Sequence, residues 1–193
     1  NMKINKRFCI ANWKMNLNVS ESIDFFEKFS SIKPKVNLAN LEVVICPSYT
    51  SLPFYHEYSQ SKTFLLGSQN VYHEIKGGYT GEISINMLEE LSCSYVIVGH
   101  SERRIILNEK NALIKKKFDA VYTSKMTPIL CVGENLKERK EMKHEDVLKT
   151  QITSILDSYT SINKDIIIAY EPVWAIGSGE SASLDVIQNT HML

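Results

Sequence analysis

The chain has 193 residues, enough for one domain with a sizeable core. Its 44% hydrophobic and 23% charged residues are the composition of an ordinary globular protein. Lys plus Arg equals Asp plus Glu at 22 each, so no global field exists to draw nucleic acid or a membrane surface, and any anion specificity has to be built locally.

No apolar run approaches the ~18 residues of a membrane helix. The start, Asn1-Met2-Lys3-Ile4-Asn5-Lys6-Arg7, has no apolar h-region and is not read as a secretory signal. Asn1 ahead of Met2 suggests a tag remnant or an upstream segment. Cys9, Cys46, Cys93 and Cys131 form no CxxC pair, and three of them lie in or at the end of apolar runs. They read as reduced core thiols in a cytosol-like compartment rather than as metal ligands.

In chain order, the first apolar run is Phe8–Ala11. Asn18 with Glu21 three residues on then reads as a capping box opening a helix that carries Ile23, Phe26 and Phe29. Runs at Val43–Cys46, Phe64–Gly67, Tyr95–Gly99, Ile129–Gly133 and Ile166–Tyr170 follow. Continuous and rich in β-branched residues, they predict strands buried on both faces of a parallel sheet. Ile114, Phe118, Val121 and Tyr122 recur at helical spacing, with Lys115, Lys116 and Lys117 read as a solvated face between them. Leu148, Ile152, Ile155, Leu156 and Tyr159 line one face of a predicted four-turn helix. Strand then helix, six times over with no linker, predicts an α/β protein; periodicity alone leaves a doubly wound sheet and a barrel both open.

In parallel α/β folds the chemistry gathers where strands run out into loops. Those exits read Asn12-Trp13-Lys14, Cys46-Pro47, Gln69-Asn70, His100-Ser101-Glu102, Gly133-Glu134 and Glu171-Pro172. A lysine, a histidine and a glutamate at equivalent exits of one sheet would converge, although each alone is an ordinary residue. The run Glu171-Pro172-Val173-Trp174-Ala175-Ile176-Gly177-Ser178-Gly179 places an acid at the head of a loop with a rigid proline and two glycines. That suits a lid with stiff hinges and a tip of backbone N–H groups for an anion.

Four segments carry a family resemblance: Ala11–Asn16 (ANWKMN), Gly77–Glu82 (GGYTGE), Val98–Arg104 (VGHSERR) and Ala169–Gly177 (AYEPVWAIG), with Cys131–Glu134 (CVGE) between the last two. In this order they resemble the triosephosphate isomerase family from about Phe8 to the end of the chain. The resemblance implies a TIM (β/α)8 barrel and interconversion of dihydroxyacetone phosphate and D-glyceraldehyde 3-phosphate through an enediolate, in glycolysis and gluconeogenesis. It also implies no cofactor, no metal and a homodimer. As the family's well-known mechanism has it, a glutamate base, a neutral histidine and a closing loop do the work. Carried over residue by residue, Glu171 is the base and His100 the electrophile. Lys14 supplies positive charge with Asn12 beside it, and the Gly177 N–H serves the phosphate. Ser101 and Glu102 support, with Glu102 expected to pair with Lys14, and Thr80 and Met15 make the dimer contact. Glycolytic chemistry and reduced cysteines place the protein in the cytoplasm, with an organellar copy as the alternative.

The sequence departs from the family at Ser68, where alanine is usual, and at Glu180, where lysine is usual. A barrel typically takes about 250 residues. Residues 1–193 therefore read as one barrel domain of about six βα units, with Ser183–Leu193 starting the sixth helix and the seventh and eighth units absent. A second reading is a truncated, catalytically impaired homologue acting as a binding or structural module.

Overall fold

A computed structural model describes residues 6–32, 40–58, 63–176, 178–179 and 181–193. It falls into two compact units, Asn1–Val96 and Ile97–Leu193.

In the first unit β1 (Arg7–Asn12) leads to α1 (Val19–Ser31), then β2 (Leu41–Cys46). A 3₁₀ turn (Tyr49–Phe54) and the short α2 (Tyr55–Tyr58) precede β3 (Leu65–Ser68), followed by α3 (Ile85–Glu90) and β4 (Tyr95–Val98), within which the unit boundary falls. β1 pairs with β2, β2 with β3, and β3 with the start of β4, all in parallel. α1 begins where the sequence placed it. Asn18 accepts the Glu21 N–H at 3.0 Å while the Glu21 carboxylate accepts the Asn18 N–H at 2.8 Å, closing the predicted box. The face α1 buries is aromatic. Phe26 lies 5.6 Å from Phe64 and 6.3 Å from Tyr55, and the Tyr55 hydroxyl donates to the Phe64 carbonyl at 2.6 Å. Ser68 is fully buried, and its hydroxyl is satisfied by donating to the Asn70 carbonyl at 2.6 Å.

In the second unit α4 (Ser101–Ile105) and α5 (Asn111–Thr123) follow β4. Then come β5 (Thr127–Val132), α6 (Leu136–Lys140), α7 (His144–Leu156), β6 (Ile167–Tyr170), a 3₁₀ turn (Val173–Ala175) and α8 (Leu184–His191). β5 and β6 pair in parallel from Ile129–Ile167 to Val132–Tyr170. Ile114, Phe118, Val121, Leu130 and Ile155 form its buried core. Six parallel strands, each leading to a helix or helical turn, make the described residues α/β.

Four expectations are corrected. β4 and most of β5 are buried on both faces, but β1 and β6 are not: Phe8 and Ile168 are each 40% exposed. Cys9, on β1, is accordingly exposed, whereas Cys46, Cys93 and Cys131 are buried. α7 stops at Leu156, and Tyr159 lies beyond it, packed edge-on against Tyr122 at 4.7 Å with its hydroxyl on Asp119. Lys117 is not on a solvated face. It is 1% exposed, its ammonium 2.6 Å from Glu109 Oε1, and Glu109 also takes the Arg103 Nε at 2.7 Å. Glu109 Oε2 is buried without a hydrogen-bond partner.

Burial, then the neighbouring Cys93, pushes the Cys46 thiol from 9.0 to about 12, and burial does the same to Cys93. A raised folded value keeps these thiols neutral, so their contribution is intact below pH 9 and stability falls as pH rises from there towards 12. At pH 8, iodoacetamide is expected to alkylate Cys9 in the folded chain and spare Cys46 and Cys93. Peptide mass spectrometry showing comparable rates at all three would contradict this arrangement.

Candidate active site

The first unit holds Asn12 and Lys14. β1 ends at Asn12, and Lys14 takes a left-handed conformation, φ 54°. An L-residue adopts this only when its surroundings over-determine it, at a cost on the order of 1–3 kcal/mol. Three hydrogen bonds fix it. The Lys14 N–H donates to Asn12 Oδ1 at 2.9 Å, Gln69 Nε2 donates to the Lys14 carbonyl at 2.8 Å, and the Trp13 N–H donates to the Cys46 carbonyl at 3.1 Å. Gln69 also reaches the Cys46 carbonyl at 2.9 Å, so one amide ties the lysine turn to the exit of β2. Trp13 stacks on Phe26 at 5.8 Å, anchoring the turn to the aromatic core. Met15, next in the chain, is 97% exposed, and residues 74–82, including Thr80, are exposed.

The second unit holds His100, Ser101, Glu102 and Glu171. β4 is followed by Gly99 at φ +72°, where an added Cβ would sit 2.9 Å from Arg104 Nη2 and 3.0 Å from Ile114 Cγ2. Only glycine accepts both the conformation and the contact. His100 follows as the N-cap of α4, its Nδ1 accepting the Glu102 N–H at 3.2 Å. An accepting Nδ1 places the ring proton on Nε2. Nε2 lies 3.1 Å from Glu171 Oε2. The Glu171 carboxylate also receives the Ser101 N–H at 2.7 Å on Oε1 and the Ser101 hydroxyl at 3.1 Å on Oε2. The Glu102 carboxylate comes within 3.5 Å of His100 Nδ1. The histidine, serine and glutamate singled out in the sequence thus meet at one carboxylate.

The backbone of Glu171 is held as closely as its side chain. Its N–H donates to the Val132 carbonyl at 2.9 Å, and a Cβ on Gly133 would lie 1.9 Å from its carbonyl oxygen. Gly133→Ala must therefore push β5 and β6 apart where Glu171 is attached. We expect it to cost about 1–3 kcal/mol, the usual range for overpacking, and to lower turnover beyond what the stability loss explains. Urea unfolding together with kcat at a temperature where the variant is fully folded would test this; a kcat equal to wild type would refute the coupling.

Beyond Glu171 the chain makes a 3₁₀ turn, Val173–Ala175, tied to one buried acid. Glu134 is fully buried. Its Oε1 takes the Trp174 indole N–H at 2.9 Å and the Tyr170 hydroxyl at 3.1 Å, with Arg139 at 3.5 Å, while its carbonyl takes the Val173 N–H at 3.2 Å. Burial, then the Glu134 carboxylate, raises the Tyr170 phenol pKa, which keeps it a donor. The start of the loop after Glu171 is therefore stapled by side chain and backbone together. Gly177 and Glu180 lie outside the described residues.

Sequence reasoning gave Gln69, Glu134 and Arg104 no role. Gln69 and Glu134 occupy strand exits, and that position was the available signal. Arg104 closes the Val98–Arg104 motif, and that membership was its only signal, since on a short helix in a charged run its own spacing does not distinguish it from a surface residue.

A family model described as triosephosphate isomerase matches residues 7–193. Curated relatives named triosephosphate isomerase include that of Clostridium perfringens, 41% identical over 181 residues covering 93% of this chain and 72% of the relative. Those of Alkaliphilus metalliredigens (42% over 179 residues, 92% and 71%) and Endomicrobium trichonymphae (41% over 187 residues, 96% and 74%) are similar in the same degree.

Proposed function

The chain belongs to the triosephosphate isomerase family, and from that premise we propose that it interconverts dihydroxyacetone phosphate and D-glyceraldehyde 3-phosphate by proton transfer through an enediolate. The observation that carries this reading is the His100–Glu171 pair: an imidazole whose Nδ1 accepts the Glu102 N–H while its Nε2 lies 3.1 Å from the carboxylate.

Glu171 removes the C1 proton of dihydroxyacetone phosphate, leaving an enediolate; a proton passes from the C1 hydroxyl oxygen to O2, and Glu171 returns its own proton to C2. The substrate carbonyl oxygen takes the place of Oε2 as acceptor of the His100 Nε2–H. That bond strengthens as negative charge develops on the oxygen, so it stabilises the transition state more than the ground state. Release from Ser101 frees the carboxylate to act. Lys14 and Asn12 contribute positive charge and a hydrogen bond to the substrate, with Glu102 the proposed partner of Lys14, and the Gly177 N–H receives the phosphate. Closure of the lid keeps water from an enediolate that could otherwise expel phosphate.

The proposed form is a homodimer in the cytoplasm, with the loop bearing Thr80, and Met15, in the contact. Supporting this, Met15 at 97% and Ile75 at 61% expose apolar surface on the first unit that a second copy would cover. No helix among the described residues is long and apolar enough to cross a membrane.

A coupled assay following glyceraldehyde 3-phosphate formed from dihydroxyacetone phosphate by the purified chain tests the reaction. Turnover no faster than with a Glu171→Gln preparation would sink it. Sedimentation velocity at micromolar concentration tests the dimer, and a single monomeric species would rule it out.

A further inference from the structure

Arg104 is half-buried, and its guanidinium spends all three nitrogens on fixed partners. Nε donates to the Gly99 carbonyl at 2.6 Å, Nη2 to the Cys131 carbonyl at 3.1 Å, and Nη1 to Asn111 Oδ1 at 2.7 Å. The two carbonyls are not arbitrary. Gly99 O belongs to the peptide bond that enters His100, so its orientation aims the imidazole. Cys131 O lies one residue before Val132, whose carbonyl accepts the Glu171 N–H at 2.9 Å. One rigid fork therefore stands one peptide from the proposed electrophile and, through Val132, one hydrogen bond from the base.

From this we infer that Arg104 is a positioning residue for the isomerisation: its planar guanidinium sets the spacing and orientation of His100 against Glu171 by bridging the exits of β4 and β5. The inference rests on the isomerase reading. A guanidinium is suited to the task because its donors diverge in one plane at fixed angles, whereas a lysine ammonium is a compact charge on a flexible stem. Asn111, at the first turn of α5, adds the third anchor and stops the fork from rotating about the other two. Gly99 completes the arrangement, since any side chain there would collide with Nη2. Arg104 touches no reacting atom in this arrangement; it acts through His100 and Glu171.

Arg104→Lys keeps the charge and loses the fork. Misplacement of reacting groups by about 1 Å costs on the order of 10²-fold in rate, so kcat should fall by about that factor with KM nearly unchanged, because the loss is confined to the transition state. The second readout is the ¹⁵N spectrum of the His100 ring, assigned against His100→Gln. In the wild-type chain Nδ1 should read as the unprotonated nitrogen and Nε2 as the protonated one; in Arg104→Lys this pattern should shift. Wild-type kcat in a folded variant, or a fall in kcat with the His100 signals unmoved, would overturn the inference. Should Arg104→Lys fail to fold, Asn111→Ala, which frees only Nη1, should show the same two changes in smaller degree, and neither change in that variant would overturn it equally. If the wild-type chain has no isomerase activity, the isomerase reading falls by itself, and the ring signals alone decide whether Arg104 orients His100.

Discussion

Glu171→Asp should leave the chain folded and cut isomerase turnover by about 10²–10⁴-fold, the range a positioned general base contributes. Removing one methylene withdraws the carboxylate from a site defined by short contacts: 2.7 Å to the Ser101 N–H, 3.1 Å to the Ser101 hydroxyl and 3.1 Å to His100 Nε2. Aspartate retains the charge, so electrostatic attraction within the unit is little changed, and Glu171 is not a core residue whose loss would leave a cavity. Glu171→Gln separates basicity from reach. It keeps the length and most of the contacts while removing the proton acceptor, and it should lose at least as much turnover as aspartate. Circular dichroism and urea unfolding alongside the coupled assay make the comparison clean. Near-normal turnover in either folded variant would remove Glu171 from the role of base.

The candidate site residues were easier to read from the sequence than the scaffold that holds them, for a physical reason. His100 and Glu171 stand just past continuous apolar runs, and a strand exit in a parallel sheet is a position where a polar side chain must face an open loop region. Their assignment needed only the strand pattern and the family motifs. Arg104 and Glu134 work differently, because they bind backbone carbonyls or an indole brought close by the fold, and no local spacing encodes a partner 27 or 40 residues away. The capping box of α1 was legible because both of its partners are three residues apart. β1 and β6 were misread as doubly buried because an apolar run reports what a strand could cover, not whether both faces are covered. Lys117 was misread because a lysine run suggested solvent. Yet Ile114, Lys117, Phe118 and Val121 fall at i, i+3, i+4 and i+7, which puts the lysine on the apolar face of α5. The helical phase held the information that the charge obscured.

That buried lysine supports the second large expectation. Lys117→Met should destabilise the protein by about 3 kcal/mol, at the low end of the roughly 3–5 kcal/mol for breaking a buried ion pair. Methionine fits the volume, so the loss is not a cavity effect; it comes from stranding Glu109, 7% exposed, with an Oε2 that already lacks a hydrogen-bond partner. Arg103 keeps its 2.7 Å bond to Oε1, and that remaining partner is why the low end is expected. The double variant Lys117→Met with Glu109→Met removes the stranded charge as well. It should recover much of the loss, because exchanging a whole buried pair for apolar groups is often close to neutral. Arg103 would then have to turn outward, which its partly exposed side chain permits. Urea unfolding of the two variants decides the matter through their difference. A single variant that loses under about 1 kcal/mol would mean the pair behaves as a solvated one. A double variant less stable than the single would mean that the Glu109 carboxylate stabilises the end of α4 independently of Lys117, through its 2.7 Å contact with Arg103 Nε.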